Sequence, residues 1–375
     1  MKKKNILVID QTLREGMQYR GLMFSLPERK QIARFQETLG VDICQAAYPP
    51  AHPSEARYLL ELHQWSRNRR NHPRMAGLCR ALPADVKWMA DNGLKDFHLH
   101  SGVNVDMLER FGIEGIFKTL TESVAVIRSA SRQAVIYLSF ADVGATDKNL
   151  LKQSLDYVAD QLQVDFVNLP DTSGSLPPDR YYRLVKEMAS RLEGKKTRIA
   201  VHCHNDMGMA SANTVLGVTA GAQAIEVTAL GIGERNGVGD LYTTCKTLKD
   251  QGYGMNVKTD DMDTFKAYYE FVNDVCLRKT GFGPMNYNTP AFGDAVKTHV
   301  AGTHGAISYG GSTEKQYFLN VLCGKHMVRE YLTRNEMPFN PDRIDTIVQA
   351  IKDRSVELDR SLGGQEVEVL VKELG

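Results

Sequence analysis

Short β-rich segments alternate with longer amphipathic segments from residue 5 to about residue 252, and this alternation constrains the fold more than any other feature. Eight segments have the composition of strands and lie at residues 5–10, 41–46, 74–79, 96–100, 134–139, 166–169, 198–202 and 224–228. Helical patterns lie between them, for example at residues 27–39, 54–66, 113–130, 147–161, 178–192 and 208–220. Strands that are separated by helices are typical of parallel βαβ units.

Eight such units are the number that closes into a (β/α)8 TIM barrel, so we predict an α/β fold of this class. An open, doubly wound sheet is the alternative, but its first strand is usually followed by a GxGxxG turn, and Ile9-Asp10-Gln11-Thr12 does not match it. The alternation stops after residue 255. We therefore predict a barrel domain over residues 1–255 and a smaller, mainly helical C-terminal region over residues 256–375, with helices near 260–282 and 341–360.

The charge balance argues against partners that are bound through bulk charge. The chain has 46 Lys and Arg residues and 45 Asp and Glu residues, so its net charge of +1 predicts neither nucleic-acid binding nor a membrane-surface role. No segment approaches the roughly 20 apolar residues of a membrane span. The six cysteines are far apart and form no CxxC pair, which is typical of reduced thiols. We expect a cytoplasmic protein with small-molecule substrates.

A His-x-His pair at the end of the seventh predicted strand is the strongest indication of chemistry, because active sites of such barrels lie where strands end. Side chains alternate along a strand, so His202 and His204 point to one side and Cys203 to the other. In a closed barrel only strand eight separates strand seven from strand one, which runs into Glu15. Two imidazoles and a carboxylate can hold a divalent metal and leave positions open for substrate. The alternative is a pair of histidines that hydrogen-bond on a polar rim.

Arg14 lies beside Glu15 in the same predicted loop. Adjacent loop residues can diverge, so one can bind metal while the other directs its guanidinium at the substrate. A carbonyl oxygen that becomes an alkoxide is stabilised by such a planar, positive donor. The alternative is a structural ion pair of Arg14 with Asp10 or Glu15.

Five motifs, in chain order, resemble the motif set of the DRE-TIM metallolyase superfamily: DQTLREGMQ, NLPDTSG, HCHNDMG, GIGERNG and THVAGTH. The resemblance covers essentially the whole chain and is closest to the Claisen-condensing branch of homocitrate, 2-isopropylmalate and citramalate synthases. It implies that Glu15, His202 and His204 bind a divalent metal, which would be Mg²⁺, Mn²⁺ or Zn²⁺. It also implies that Arg14 stabilises the oxyanion and that Thr172 contacts the carboxylate of a 2-oxo acid.

The resemblance extends to the C-terminal region and to the walls of the site. His304 matches a histidine that this family delivers into the active site of the partner subunit, which implies a homodimer and a catalytic role for His304. The co-substrate implied is an acyl-CoA. The other residues expected to bind substrate are Gln18, Tyr137 and Ser139, and those expected to line the site are Gln45, His100, Asn205, Glu234 and Asn236.

Three positions depart from the pattern of these synthases. Their fifth strand typically ends in Ser-x-Glu-Asp, whereas this chain has Ala141 at the position of the glutamate, and alanine can do no acid–base work. Tyr137 stands where homocitrate synthases have an arginine for the distal carboxylate of 2-oxoglutarate, and Gln45 stands where a glutamate is usual. We therefore expect a divergent member with its own substrate pair.

The implied reaction is a Claisen condensation of an acyl-CoA with a 2-oxo acid, followed by hydrolysis of the thioester. A base must remove a proton from the α-carbon of the acyl group, and His100 or His304 is the expected replacement for the missing glutamate. The alternatives are a metal-dependent carbon–carbon lyase or aldolase, as in 3-hydroxy-3-methylglutaryl-CoA lyase, and a non-catalytic binding protein. The lyase alternative is weakened because the GIGERNG loop has no cysteine and because Val238 stands where the lyases have an asparagine ligand.

Overall fold

The computed structural model describes residues 5–67, 69, 71–101, 105–301 and 315–374. The chain divides into two compact units, Met1–Pro284 and Met285–Gly375. His304 lies outside the described residues, so the structure bears neither on its predicted role nor on the THVAGTH motif beyond Ala301.

The first unit is a closed barrel of eight parallel strands that pair in sequential order, with one helix after each strand, which confirms the predicted TIM barrel. The strands are β1 (Leu7–Asp10), β2 (Ile43–Ala47), β3 (Arg74–Arg80), β4 (Asp96–Ser101), β5 (Val135–Phe140), β6 (Phe166–Asp171), β7 (Arg198–Cys203) and β8 (Ala224–Val227). The helices that follow them are α1 (Leu26–Leu39), α2 (Pro53–Arg67), α3 (Pro83–Asp91), α4 (Val105–Ala130), α5 (Lys148–Tyr157), α6 (Pro178–Arg191), α7 (Ala210–Ala220) and α8 (Leu241–Asp250).

The barrel closes where β1 pairs with β8, from Leu7 opposite Ala224 to Asp10 opposite Val227. Its interior is a packed core, as is usual for this fold. Seven buried residues of the strands form one cluster of that core: Ile9, Ile43, Ala76, Tyr137, Phe166, Ala200 and Ala224. Because this cluster fills the inside of the barrel, a ligand can enter only at an end of the strands.

A buried ion pair joins the first two helices of the barrel. Helix α1 begins with a capping box, in which the Ser25 N–H donates to Glu28 Oε2 over 2.7 Å. One residue later, Arg29 is completely buried and pairs with Glu55 of α2. Its guanidinium also donates to the carbonyl oxygens of Phe24 (3.1 Å) and Ala46 (3.0 Å). These contacts fix α1 and α2 against the end of β2.

A ninth helix, α9 (Met262–Thr280), belongs to the barrel unit. The Tyr268 hydroxyl donates to Asp10 Oδ2 at the end of β1 (2.8 Å), and the Tyr268 ring stacks on Phe35 of α1 at 5.4 Å. The Tyr269 hydroxyl donates to Asp240 before α8 (2.7 Å). These bonds explain why the boundary lies at 284/285 rather than at 255/256: α9 continues the barrel without continuing the βα repeat.

The second unit is mainly helical, as predicted. It contains two short strands, β9 (Thr298–His299) and β10 (Gln316–Tyr317), which pair in parallel. Three helices follow: α10 (Lys325–Arg334), α11 (Ile344–Glu357) and α12 (Gly364–Leu374). Their apolar faces share a core that includes Met327, Val328, Ile347, Ile351 and Val367. The packed core explains why this unit is compact in its own right.

All six cysteines are free and buried: Cys44, Cys79, Cys203, Cys245, Cys276 and Cys323. Burial raises the pKa of each of these thiols above its ordinary value. The prediction of reduced, unbridged thiols agrees with this arrangement. Among the described residues, no helix is long and apolar enough to cross a membrane.

Candidate active site

A pocket of about 300 Å³ lies at the carboxyl ends of the barrel strands. Its lining contains eleven of the residues that the sequence analysis predicts for the site: Arg14, Glu15, Gln18, Gln45, His100, Tyr137, Ser139, Thr172, His202, His204 and Glu234. Further residues that line it are Tyr48, Leu78, His98, Leu99, Ala141, Asn168, Pro170, Glu226 and Arg235. Strands or loops from every side of the barrel thus contribute to one site.

The loop after β1 is anchored by Asp10, which is fully buried. Its Oδ1 accepts hydrogen bonds from the Thr12 N–H (2.8 Å) and the Thr12 hydroxyl (2.6 Å). The Thr12 hydroxyl in turn accepts from the Ala229 N–H after β8 (2.8 Å). Because Asp10 is occupied by these donors and by Tyr268, it does not pair with Arg14. The loop therefore presents Arg14 and Glu15 to the pocket.

Arg14 pairs with the carboxylate of Glu15, and its Nε donates to Gln45 Oε1 at 2.5 Å. Glu15 also accepts from the Glu234 N–H (3.1 Å), and the Gln18 amide nitrogen, once oriented as a donor, lies 2.7 Å from Glu15 Oε1. Burial alone would raise the pKa of Glu15, but the charge of Arg14, the histidine pair and the hydrogen bond from the Glu234 N–H together outweigh it and lower that pKa to about 2. Glu15 is therefore a carboxylate at neutral pH.

The imidazoles of His202 and His204 face each other, with their Nε2 atoms 3.2 Å apart. Both side chains are buried, and burial lowers the pKa of His204 to about 4, so this ring is neutral. Two nitrogen ligands of one ion, each about 2.1 Å from it, lie roughly 3.0–3.4 Å apart. The imidazole pair therefore fits the predicted metal.

Glu15, the third predicted metal ligand, is bonded to other side chains instead of converging with the histidine pair. Among the described residues, no group of three or more His, Cys, Asp or Glu side chains converges in a way that could hold a metal ion. Glu15 is in the same pocket, but its carboxylate engages Arg14 and Gln18. A three-residue site with His202 and His204 requires Glu15 to exchange these partners for the ion.

A carboxylate lies beneath the histidine pair. Glu226 on β8 is 4% exposed, and its Oε2 lies 3.2 Å from His202 Nδ1 and accepts from Asn168 Nδ2 (2.7 Å). Burial alone would raise the pKa of Glu226, but the contact with His202, together with the electrostatic influence of His98 and Arg14, outweighs it, and the pKa is lowered. A carboxylate at Nδ1 favours the tautomer whose Nε2 lone pair is free for a metal.

Three loops are joined at the mouth of the pocket by Arg235. Its guanidinium pairs with Asp206 after β7 (Nε to Oδ1, 2.7 Å) and donates to the carbonyl oxygen of Thr172 after β6. Two glycines make these close approaches possible. A Cβ on Gly174 (φ +62°) would lie 2.4 Å from Asp206 Oδ2, and one on Gly237 (φ +85°) would lie 1.9 Å from the Gly231 carbonyl oxygen.

Two predicted residues, Asn205 and Asn236, are not among the residues that line the pocket. The Asn205 Oδ1 accepts from the Ala210 N–H (3.1 Å) at the start of α7, and the Asn236 amide donates to the Asn205 carbonyl oxygen (3.1 Å). They shape the loops after β7 and β8, because each side chain is used in a bond to the backbone.

The residues at the end of β5 differ in whether they reach the pocket. Ser139 and Ala141 line the pocket, whereas the Asp142 carboxylate accepts from the Ser173 hydroxyl (3.3 Å). Tyr137 lines the pocket too, but its hydroxyl accepts from Arg74, the first residue of β3, over 3.5 Å. Asp142 is therefore no substitute for the missing glutamate.

The sequence analysis missed His98, Asn168 and Glu226, which form a buried polar cluster within the barrel. The same alternation that relates His202 and His204 also relates His98 and His100 on β4, and this signal could have identified His98. Glu226 is the only charged residue of β8, which is also unusual for a buried strand.

Comparison with known proteins identifies the family. Residues 5–268 match the family model described as HMGL-like. A 2-isopropylmalate synthase from Sulfurisphaera tokodaii is 30% identical over 311 residues, covering 81% of this chain and 76% of the relative. A probable 2-isopropylmalate synthase from Archaeoglobus fulgidus is 28% identical over 366 residues, covering 93% of this chain and 69% of the relative.

Solved structures agree with the barrel fold. An HMG-CoA lyase from Pseudomonas aeruginosa has a TM-score of 0.62 at 17% identity, covering 74% of this chain and 95% of that one. One from Acenitobacter baumannii, in complex with coenzyme A and 3-methylmalate, has a TM-score of 0.61 at 15% identity, covering 77% and 95%. At these identities the likeness concerns the fold alone. The family match, in contrast, covers most of the chain and includes the pocket, and the chain therefore belongs to the HMGL-like family of DRE-TIM enzymes.

Proposed function

We propose that this enzyme condenses an acyl-CoA with a 2-oxo acid and hydrolyses the resulting thioester. The observation that carries the proposal is the placement of the Arg14 guanidinium in one pocket with an imidazole pair whose Nε2 atoms are 3.2 Å apart. The relatives that bear the name 2-isopropylmalate synthase support it. HMG-CoA lyases among the structural neighbours favour carbon–carbon cleavage as the second candidate.

In this proposal His202, His204 and Glu15 hold the divalent ion, which when bound polarises the keto oxygen of the 2-oxo acid. Arg14 donates to that oxygen as it gains negative charge, while Gln45 and Glu15 keep the guanidinium in place. The Thr172 hydroxyl, which accepts from the Asp142 N–H (3.0 Å), positions the acid's carboxylate. Gln18 and Ser139 complete the binding surface.

The proposed step balances as follows. A base takes the α-proton of the acyl group, and the enolate carbon forms the new carbon–carbon bond. The keto oxygen becomes an alkoxide and is then protonated, and water cleaves the thioester to release the CoA thiol. Ala141 offers no base, so His100, which lines the pocket, and His304, which the C-terminal region of a homodimer would supply, are the proposed proton-transfer residues.

Release of the CoA thiol tests the condensation. The enzyme is freed of metal with a chelator, reloaded with Mg²⁺ or Mn²⁺, and assayed with acetyl-CoA and a panel of 2-oxo acids. We expect thiol release that requires both the metal and one of the acids. Cleavage of a 3-hydroxyacyl-CoA or of a 4-hydroxy-2-oxo acid, without thiol release from acetyl-CoA, would instead establish the lyase or aldolase. Metal binding with no reaction in either direction would favour a binding protein.

Replacing Glu226 with glutamine is expected to weaken metal binding by about 10- to 100-fold. The substitution keeps the shape of the side chain but removes the negative charge 3.2 Å from His202 Nδ1, which makes Nε2 a better ligand. Titration with Mn²⁺, followed by calorimetry, measures the change directly. Glu61→Gln, on the outer surface of α2, is the control for loss of one charge. An affinity within twofold of the wild type would show that Glu226 does not act on the metal site.

A further inference from the structure

Four buried residues that line the pocket have a polar atom with no hydrogen bond to a described residue: His202 and His204, at Nδ1, and two residues outside the proposed metal site, His98 and Asn168. His98 is 2% exposed and its Nε2 has no hydrogen-bond partner, and Asn168 is 3% exposed and its Oδ1 has none. Both residues line the pocket. Buried polar atoms in native proteins are almost always paired, because leaving them unpaired is costly. These two atoms therefore indicate a partner that comes from outside the chain.

The hydrogen bonds that link Arg14, Gln45 and His98 determine whether the unpaired Nε2 of His98 is a donor or an acceptor. The Arg14 Nε can only donate, so Gln45 Oε1 must be the acceptor of their 2.5 Å bond. Gln45 Nε2 is then a donor, and it lies 2.6 Å from His98 Nδ1, which must accept. Burial lowers the pKa of His98 to about 4, so the ring is neutral and carries its single proton on Nε2. His98 thus offers one N–H donor.

Asn168 offers the complementary atom. Its Nδ2 donates to Glu226 Oε2 over 2.7 Å, and a carboxylate can only accept, so the orientation of the amide is fixed. The remaining Oδ1 is an acceptor. Apart from the Nδ1 atoms of His202 and His204, which also lack a hydrogen bond to a described residue, the wall of the pocket therefore holds one unused donor, on His98, and one unused acceptor, on Asn168.

The charges around these atoms disfavour an anion. The carboxylate of Glu226 bonds to Asn168, and its Oε1 lies 3.9 Å from His98 Nδ1. Of the described residues that line the pocket, two are arginines, and both have carboxylate partners: Arg14 pairs with Glu15, and Arg235 pairs with Asp206. A second carboxylate on the substrate would therefore meet Glu226, with no free arginine among the described pocket residues to compensate.

We propose that His98 and Asn168 receive the distal end of the 2-oxo acid and select an end that is uncharged and both accepts and donates a hydrogen bond, as a carboxamide or a hydroxyl does. The oxygen of that end accepts from His98 Nε2, and its N–H or O–H donates to Asn168 Oδ1. An apolar end leaves both protein atoms unpaired. The proposal rests on the proposed function, because it takes the 2-oxo acid head to be bound beside Arg14 and the histidine pair.

Three 2-oxo acids of one length and shape test the selection. 4-Methyl-2-oxopentanoate ends in an isopropyl group, oxaloacetate in a carboxylate and 2-oxosuccinamate in a carboxamide. Calorimetry on the Mn²⁺-loaded protein, without acyl-CoA, gives the three dissociation constants. We expect the carboxamide to bind at least tenfold more tightly than either of the others. Equal or tighter binding of the isopropyl or the carboxylate acid overturns the proposal.

Variants on one strand assign the effect to His98. In His98→Phe the N–H donor is lost, and we expect the preference for the carboxamide to fall below threefold. His100→Phe makes the same change two residues away on β4, and any loss of affinity there should affect the three acids alike. A preference that persists in a folded His98→Phe variant contradicts the assignment, and the wild-type ranking decides the matter if that variant does not fold.

Separate readouts distinguish failure of this inference from failure of the proposed function. Binding without selectivity overturns the inference alone. Selective binding of the carboxamide, with no CoA release from any acyl-CoA tested, supports the inference and overturns the condensation. If none of the three acids binds, the inference is overturned, and CoA release with the wider panel of 2-oxo acids decides the condensation separately.

Discussion

Replacing Arg14 with methionine is expected to lower the turnover of the condensation by about 10²- to 10³-fold, or roughly 2.7–4 kcal/mol of transition-state stabilisation. The guanidinium is the proposed donor to the alkoxide, and Glu15 and Gln45 hold it at the end of the barrel. Methionine keeps the apolar stem but offers no donor. Steady-state CoA release, analysed for kcat and KM separately, measures the loss, which should fall mainly on kcat.

Three controls sharpen this test. Arg14→Lys keeps the charge but not the planar fork that reaches both Glu15 and Gln45, so we expect only partial activity. Arg235→Met removes the other arginine of the pocket, which is tied to Asp206, and should cost much less than Arg14→Met. Mn²⁺ affinity of Arg14→Met should not fall, because Glu15 loses a competing partner. Turnover within threefold of the wild type would mean that Arg14 has only a structural role.

Replacing Glu55 with alanine is expected to destabilise the barrel by about 3–5 kcal/mol. The change leaves the guanidinium of Arg29, which is 0% exposed, without a counter-ion between α1 and α2. Urea unfolding followed by circular dichroism gives the free energy of unfolding. Removal of one partner is costly because the remaining charge is buried, whereas removal of both need not be.

The double variant Arg29→Met with Glu55→Leu is therefore the informative control, and we expect it to be more stable than Glu55→Ala. Asp250→Ala removes one partner of an exposed ion pair with Lys246 on α8, and it should cost less than about 1 kcal/mol. A loss below 1 kcal/mol in Glu55→Ala would show that Arg29 finds other partners or water.

The barrel could be predicted because its strands and helices differ in hydrophobic period along the chain. The domain boundary could not, because α9 joins the barrel through specific bonds, such as that from Tyr268 to Asp10, and no local pattern encodes a partner 258 positions away. Helices α10 and α12, of 10 and 11 residues, also lie outside the predicted helices. Both depend on a core that is assembled from separate segments.

In the site, too, local patterns in the sequence predicted some features, whereas contacts between distant residues could not be predicted. A period of two placed His202 and His204 on one side of β7, and the strand-end rule brought Glu15 and Arg14 to the same pocket. The hydrogen bond between Gln45 and His98 joins residues 53 positions apart, so neither residue alone reveals it. The sequence left open whether Arg14 diverges from Glu15 or pairs with it, and the structure has the pair. This pairing is a rotamer choice, and sequence spacing carries no information on rotamers.

The burial of all six cysteines has a practical consequence for kinetics. A thiol whose pKa is raised contains very little thiolate at pH 8, and only thiolate attacks an aromatic disulfide such as Ellman's reagent. The native enzyme should therefore consume almost none of the reagent, so CoA release can be recorded continuously at high enzyme concentration. A slow, substrate-independent increase in absorbance would then report unfolding, because only the opened chain exposes its sulfur atoms.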